Sequence, residues 1–389
     1  MDGLFLTPYN ANEKQVNTDQ VNYLNIGLMA ISLIAAFILP FEVFLFSYAI
    51  LGPAHYLTEI SWLHDRKYFS PGKLDWVPLL IFSFLILLGG GAFVLGADLN
   101  NWLIGIGLEP VLTFLTDYGY DITFVAFGIA LIFILTQNVG LRIGGLILLV
   151  VAAALMHTGV PEMPQAGASM GQIKSFNESV QNHYYNPYWA IFAVYLPTLL
   201  HVYVFTGAFI LFGALKRDSR SGYISFAFFI FCMIACFAFF TDPSFYTAGA
   251  WAKSSYGDTF TSLSQSLLAH FGGQEFGTVQ GDSVFTNPLS IMFARFIAFA
   301  YTYHYLNWFS KTSIIRWHKV PKLRFIAVVI LWLASIGLYL WDYTIGFRWL
   351  FLLSFAHVLL EFPLNHQSFI GIGKEIGARF KGTKGKAPA

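Results

Sequence analysis

Uninterrupted apolar runs of about 20 residues recur along this chain, and a run of that length is what an α-helix needs to cross a bilayer. Ten are legible, near 24–39, 42–63, 76–96, 122–137, 139–156, 188–215, 223–241, 287–309, 323–342 and 349–365. They are continuous, whereas a transmembrane β-barrel alternates apolar and polar residues over about 10 positions. Composition agrees: 11% of the 389 residues are charged, against about 25% in soluble domains, too few to cover a water-facing surface. The expected fold is therefore all-α, a polytopic integral membrane bundle of about ten helices.

Positive charge sets the expected orientation. Arg66, Lys67 and Lys73 follow the second run, and Arg142 opens the fifth. Lys216, Arg217 and Arg220 follow the sixth, and Lys311, Arg316, Lys319 and Lys322 the eighth. Lys374, Arg379, Lys381, Lys384 and Lys386 lie in the tail. With ten crossings and both termini cytoplasmic, all fall on one side, and a miscounted run would break the alternation. The expected organisation is a polar cytoplasmic N-terminus (1–23), one transmembrane domain (24–368) with outer loops at 157–187 and 242–286, and a basic cytoplasmic tail (369–389). The N-terminus lacks the basic start of a signal peptide, so the first run is expected to be retained. The stretch 103–115, with Pro110 inside, reads as interfacial or re-entrant.

A net charge of +1 and the absence of a basic, aromatic-interleaved patch give no sign of a nucleic-acid partner. Partners are expected to be the lipid bilayer and a lipid-soluble small molecule. Cys232 and Cys236, four apart in one run, read as packing residues. Small-residue clusters at 89–93 and 142–146 read as helix-packing sites. Arg295 is expected to pair with Glu42 or a loop carboxylate, or to snorkel outward.

Ionisable side chains inside such runs are costly and point to function. GPAHYLTEISWLH contains His55, Glu59 and His64; SFAHVLLEFPLNH contains His357, Glu361 and His366. Both read His-x3-Glu-x4-His. The i and i+4 positions share a helix face, so His55 with Glu59, and His357 with Glu361, form inward-facing pairs. Pro363 is expected to bend or end the last helix, and His64 and His366 fall at the cytoplasmic surface. YTYHYLNWFSK repeats the His-Tyr-Leu step at His304, with Trp308 where the carboxylate would stand, and His201 lies in a fourth run. Four imidazoles from four helices suit Fe, Cu or Zn. Glu59 and Glu361 could serve as further ligands, as orienting partners or as catalytic carboxylates. His157, His183, His270 and His318 are assigned no role. No phosphate-binding Gly loop, zinc-protease helix or desaturase-type histidine box is present.

At these histidines the chain resembles the bacterial Brp/Blh family of membrane β-carotene dioxygenases. The segments are GPAHYLTE (Gly52 to Glu59, with Glu for the family's Asp), FAYTYHYLNWF around His304, and LSFAHVLLEF around His357. The resemblance implies a bacterial inner (plasma) membrane location, iron held by helix histidines, and O2-dependent cleavage of a carotenoid. The chain departs from the family in its greater length, its two large outer loops, and Trp308 in place of a second histidine. The expected function is a non-haem iron oxygenase acting on a carotenoid or lipid, its metal set drawn from His55, His201, His304, His357, Glu59 and Glu361. A transporter or proton-coupled component, in which Gly52-Pro53 would mark a broken helix, and a haem- or quinone-binding anchor subunit are the rival expectations.

Overall fold

The computed structural model describes residues 18–157, 169–239 apart from 185, 187 and 189, and 245–381. The start of the N-terminal segment, much of the first outer loop, and Lys384 and Lys386 of the tail lie outside the described residues. Among the described residues there is helix and connecting turn, and no strand. The helices are α1 (Thr18–Ile38), α2 (Pro40–Phe46), α3 (Gly52–Asp65), α4 (Trp76–Gly89), α5 (Gly91–Leu95), α6 (Ala97–Leu103), α7 (Glu109–Asp117), α8 (Gly119–Leu135) and α9 (Val139–Met156). They continue as α10 (Met170–Tyr184), α11 (Thr206–Arg217), α12 (Arg220–Ala238), α13 (Ala250–Phe271), α14 (Ser283–Thr286), α15 (Pro288–Ser310), α16 (Thr312–Ile315), α17 (Lys322–Trp341) and α18 (Tyr343–Phe380). π-helical turns join α2 to α3 (Ser47–Leu51) and lead into α11 (Ala190–Phe205).

Among the described residues, six helical segments are long and apolar enough to cross a membrane, or seven if the bent pair Ala97–Asp117 and Gly119–Leu135 is one span. That is fewer than the ten runs of the sequence, for physical reasons. The run 42–63 is divided by the π-turn before α3, and 76–96 breaks between α4 and α5. The run 287–309 is one 23-residue helix, α15, but its tyrosines, Arg295, His304 and Asn307 lower its apolarity. The 67° bend at Tyr118 puts the stretch around Pro110 in a broken span or a re-entrant loop.

α15 and α18 form the centre. α15 is buried along most of its length and packs on α1, α2 and α12. α18 packs on α3, α4, α8, α11 and α17. On the outside, α9 and α17 bury little of themselves, and side chains such as Leu155 (82% exposed) and Leu340 point away from protein. An apolar surface this continuous needs lipid against it. Gly145 of the 142–146 cluster lets α9 approach Ile132 of α8, where a Cβ would sit 2.6 Å from that side chain. Cys232 and Cys236 are buried free thiols.

Two expectations, on Pro363 and Arg295, are corrected, and the loop 242–286 gains a described helix. α18 does not end at Pro363 but runs for 38 residues, from Tyr343 to Phe380. At 1.5 Å per residue that is about 57 Å, longer than a hydrocarbon core of about 30 Å. A proline inside a span is tolerated when neighbouring helices compensate for the missing donor. The loop 242–286 contains the 22-residue helix α13, whose Tyr256, Phe260, Leu267 and Leu268 are buried. Arg295 neither snorkels nor pairs with Glu42. It is 1% exposed with its guanidinium over Phe37, 4.8 Å from the ring centre, and Glu42 accepts from Tyr246 and the Gly249 backbone.

Candidate metal centre

His55 lies in the first turn of α3, His201 on the π-helix before α11, His304 on α15 and His357 on α18; all four are buried. Pro197 sits one turn before His201 and cannot donate to the helix ladder, and π-helical turns of this kind gather at functional sites. The four rings close a circuit. Their centroids are 4.7 Å apart for His55–His304, 5.1 Å for His304–His201, 4.9 Å for His201–His357 and 5.4 Å for His357–His55. Nε2 of His304 is 3.0 Å from Nε2 of His55, and Nε2 of His201 is 3.0 Å from Nε2 of His357. His55, His304 and His357 each offer a nitrogen within 4.8 Å of the other two and could hold a metal ion.

Two carboxyls flank the ring. Glu59 Oε2 lies 3.0 Å from His55 Nε2, the i,i+4 pair expected from spacing. Glu361 departs from expectation: it lies against His201, with Oε2 3.2 Å from Nδ1, across helices rather than along its own. Neither contact satisfies its atoms. The two Oε2 atoms, and Nδ1 of His55 and His201, have no well-formed hydrogen bond; the Glu59 and Glu361 carboxyls lie against each other, and the Asn365 amide, one turn on, lies against Glu361. A buried polar atom without a partner costs about 1–3 kcal/mol, more when charged. A neutral imidazole has one donor and one acceptor nitrogen, so facing Nε2 atoms share a single proton or turn two lone pairs on one cation. A cation among these nitrogens and carboxylates would meet both demands, and the donor set fits a transition metal.

Other side chains fix the ring. Thr206 Oγ1, at the start of α11, is 2.7 Å from His304 Nδ1. Tyr56 stacks on His357 at 4.1 Å, and its hydroxyl meets that of Tyr305 at 2.6 Å. Trp308 donates from Nε1 to Thr58 Oγ1 at 2.9 Å, tying α15 to α3. Gly52 leaves room for the tyrosine pair, since a Cβ would lie 3.2 Å from the Tyr56 hydroxyl and 3.3 Å from that of Tyr305. The repeated His-Tyr-Leu step was the sequence signal for this pair: the same step on two helices puts both tyrosines beside the ring. Thr206 carried no signal, being a common residue in a helix.

The remaining histidines stay outside. His64 is exposed beside Tyr68, and His366 lies beyond Asn365, away from the ring. His157 pairs with Asp121 instead, Nδ1 to Oδ2 at 2.7 Å.

A cavity of about 480 Å³ reaches His55, His304, Glu59 and Glu361 from the end of the bundle where α3, α11 and α15 terminate. On the ring's other side, Phe44, Tyr48, Phe260, Tyr301 and Phe347 pack ring against ring. Fold and site together define an all-helical bundle with membrane-length apolar helices and a buried polyhistidine centre. Comparison with family models, curated proteins and solved structures finds no match to this chain.

Proposed function

We propose that the chain is a membrane-embedded metalloenzyme, a non-haem iron oxygenase acting on a lipid-soluble substrate. The observation that carries this reading is the closed circuit of four imidazoles from four helices beside two carboxylates whose Oε2 atoms have no well-formed hydrogen bond. His55, His304 and His357 would hold the ion, with His201 and the two glutamates completing or orienting the set. Iron so held supplies the binding and activation of O2. For His304 to present a lone pair at Nε2, its Nδ1–H must donate to Thr206 Oγ1, so Thr206 selects the tautomer. Glu59 and Glu361, both buried, would offset the cation's charge, and either can hold a proton beside the ring. On the side of the histidines away from the cavity mouth, aromatic rings pack against one another. That favours an enzyme over a transporter.

The ten-crossing topology, with both termini cytoplasmic, belongs to the same proposal. It is supported by α3, α11 and α15 all ending at the mouth of one cavity, as alternating crossings would require. Location in a bacterial inner membrane follows from the family resemblance.

Elemental analysis of detergent-purified protein beside a visible spectrum tests the reading. About one equivalent of iron without a haem band is the expected result. Protein that stays metal-free after reconstitution with ferrous iron overturns it, and a haem band would transfer the histidines to the anchor-subunit reading.

A further inference from the structure

The cavity that reaches the histidines differs chemically along its length. Its mouth carries Arg66 at the end of α3, Lys216 and Arg217 in the last turn of α11, and Lys311 at the end of α15. Its walls include Trp62, Phe209, Phe212, Trp308, Ile315 and Leu364. Among the described residues the only carboxylates lining it are Glu59 and Glu361, at the base. Basic residues at helix C-termini are ordinary, since they complement the helix dipole. Four that converge on one cavity from three helices are a different matter. Among the described residues Arg66, Arg217 and Lys311 have no carboxylate partner; Arg66 lies over the Trp62 ring, 5.5 Å from its centre.

The distances follow from helix geometry. Arg66 is eleven residues beyond His55, about 16 Å of rise, and Lys311 is seven beyond His304, about 10 Å. A cavity of about 480 Å³ falls in the range that takes one small organic ligand. Cations at the mouth, apolar walls and a reactive base describe a molecule with an anionic head and an apolar body.

We propose that the cavity binds a single-chain amphiphile whose carboxylate or phosphate head rests on Arg66, Arg217 and Lys311, with its apolar chain running down to the histidines. That the buried end of the chain is the reacting end rests on the metalloenzyme reading above; the binding itself does not. The ligand enters head-last, and its head stays at the mouth.

The test is saturable retention of radiolabelled dodecanoate by the full chain in nanodiscs of neutral phosphatidylcholine. Unlabelled dodecanoate, dodecyl phosphate and dodecanol are the competitors. Dodecanoate and dodecyl phosphate are expected to compete alike, and dodecanol about tenfold more weakly. Arg217→Gln with Lys311→Gln should weaken dodecanoate about tenfold and leave dodecanol unchanged, while Lys322→Gln, outside the cavity, binds as wild type. Equal competition by dodecanol, no saturable binding, or indifference to the double substitution overturns the proposal. So does loss of dodecanoate binding in phosphatidylglycerol nanodiscs, which would give the mouth to a bilayer headgroup. Metal content is read on the same preparations. Metal-free protein that still binds dodecanoate in this pattern supports the amphiphile site and removes the oxygenase.

Discussion

Two histidine clusters in this molecule differ in one respect. Around Asp121 every polar atom that meets the histidine is satisfied. His157 Nδ1 is 2.7 Å from one carboxylate oxygen, the Tyr188 hydroxyl donates to the other at 3.3 Å, and Tyr118 stacks on the imidazole at 4.3 Å. Around His55, His201, His304 and His357, two ring nitrogens and two carboxylate oxygens have no well-formed hydrogen bond. The first cluster is complete as it stands, a tie between α8 and the end of α9. The second has ligating atoms left over and could hold a metal ion. A charged group in an apolar interior is thus not itself a sign of function; unmet hydrogen-bonding capacity, converging on one point, is the better sign.

The contrast can be broken most forcefully at the ring. His304→Ala should reduce bound metal from stoichiometric to near background, while His157→Ala should keep full metal content. Next in size, Thr206→Val removes the partner of His304 Nδ1 and should weaken metal affinity by roughly 10–100-fold, measured by competition with a chelator. A Thr206→Ser variant, which keeps the hydroxyl, should restore it. At the other cluster the effect is on stability alone: Asp121→Ala leaves the Tyr188 hydroxyl and His157 without their acceptor and should cost about 1–3 kcal/mol. It would be read as a lower apparent melting temperature in detergent with metal content unchanged. Gly52→Ala presses on the Tyr56 and Tyr305 hydroxyls and should cost about 1–3 kcal/mol, relieved in part by Tyr305→Phe.

The smallest effect is pH-dependent and concerns a third, self-satisfied group outside the spans. Burial by itself would raise Asp75, but hydrogen bonds from Arg142 and Ser70 and the Arg142 charge outweigh it, holding the carboxyl below its usual range. A carboxyl depressed in the folded state adds stability above its unfolded pKa of about 3.9, lost as pH falls through the lower folded value. Asp75→Asn should therefore lower stability at neutral pH and flatten its decline below about pH 4, seen in melting temperature against pH.

Much of this was legible in the sequence, and the residues show why. Helical class follows from run length, and His55, His304, His357 and Glu59 stand out because ionisable groups in apolar runs are rare. Glu361 was misread because spacing along α18 points to His357, whereas the approach of His201 depends on how two helices cross. α13 was missed because AWAKSSYGDTFTSLSQSLLAHF mixes polar residues through its length and has no apolar run to mark it. Thr206 acts through a single contact across helices, which no one-dimensional pattern contains. The number of crossings is the least legible feature, since α3 and α15 give up apolarity to carry the site.

The most direct measurement of the central claim is iron content by inductively coupled plasma mass spectrometry, on wild type, His55→Ala, His357→Ala and His157→Ala purified side by side. The account predicts about one equivalent in wild type and His157→Ala, and background in the other two. Full metal content in His55→Ala and His357→Ala, or none in wild type after reconstitution, would contradict it.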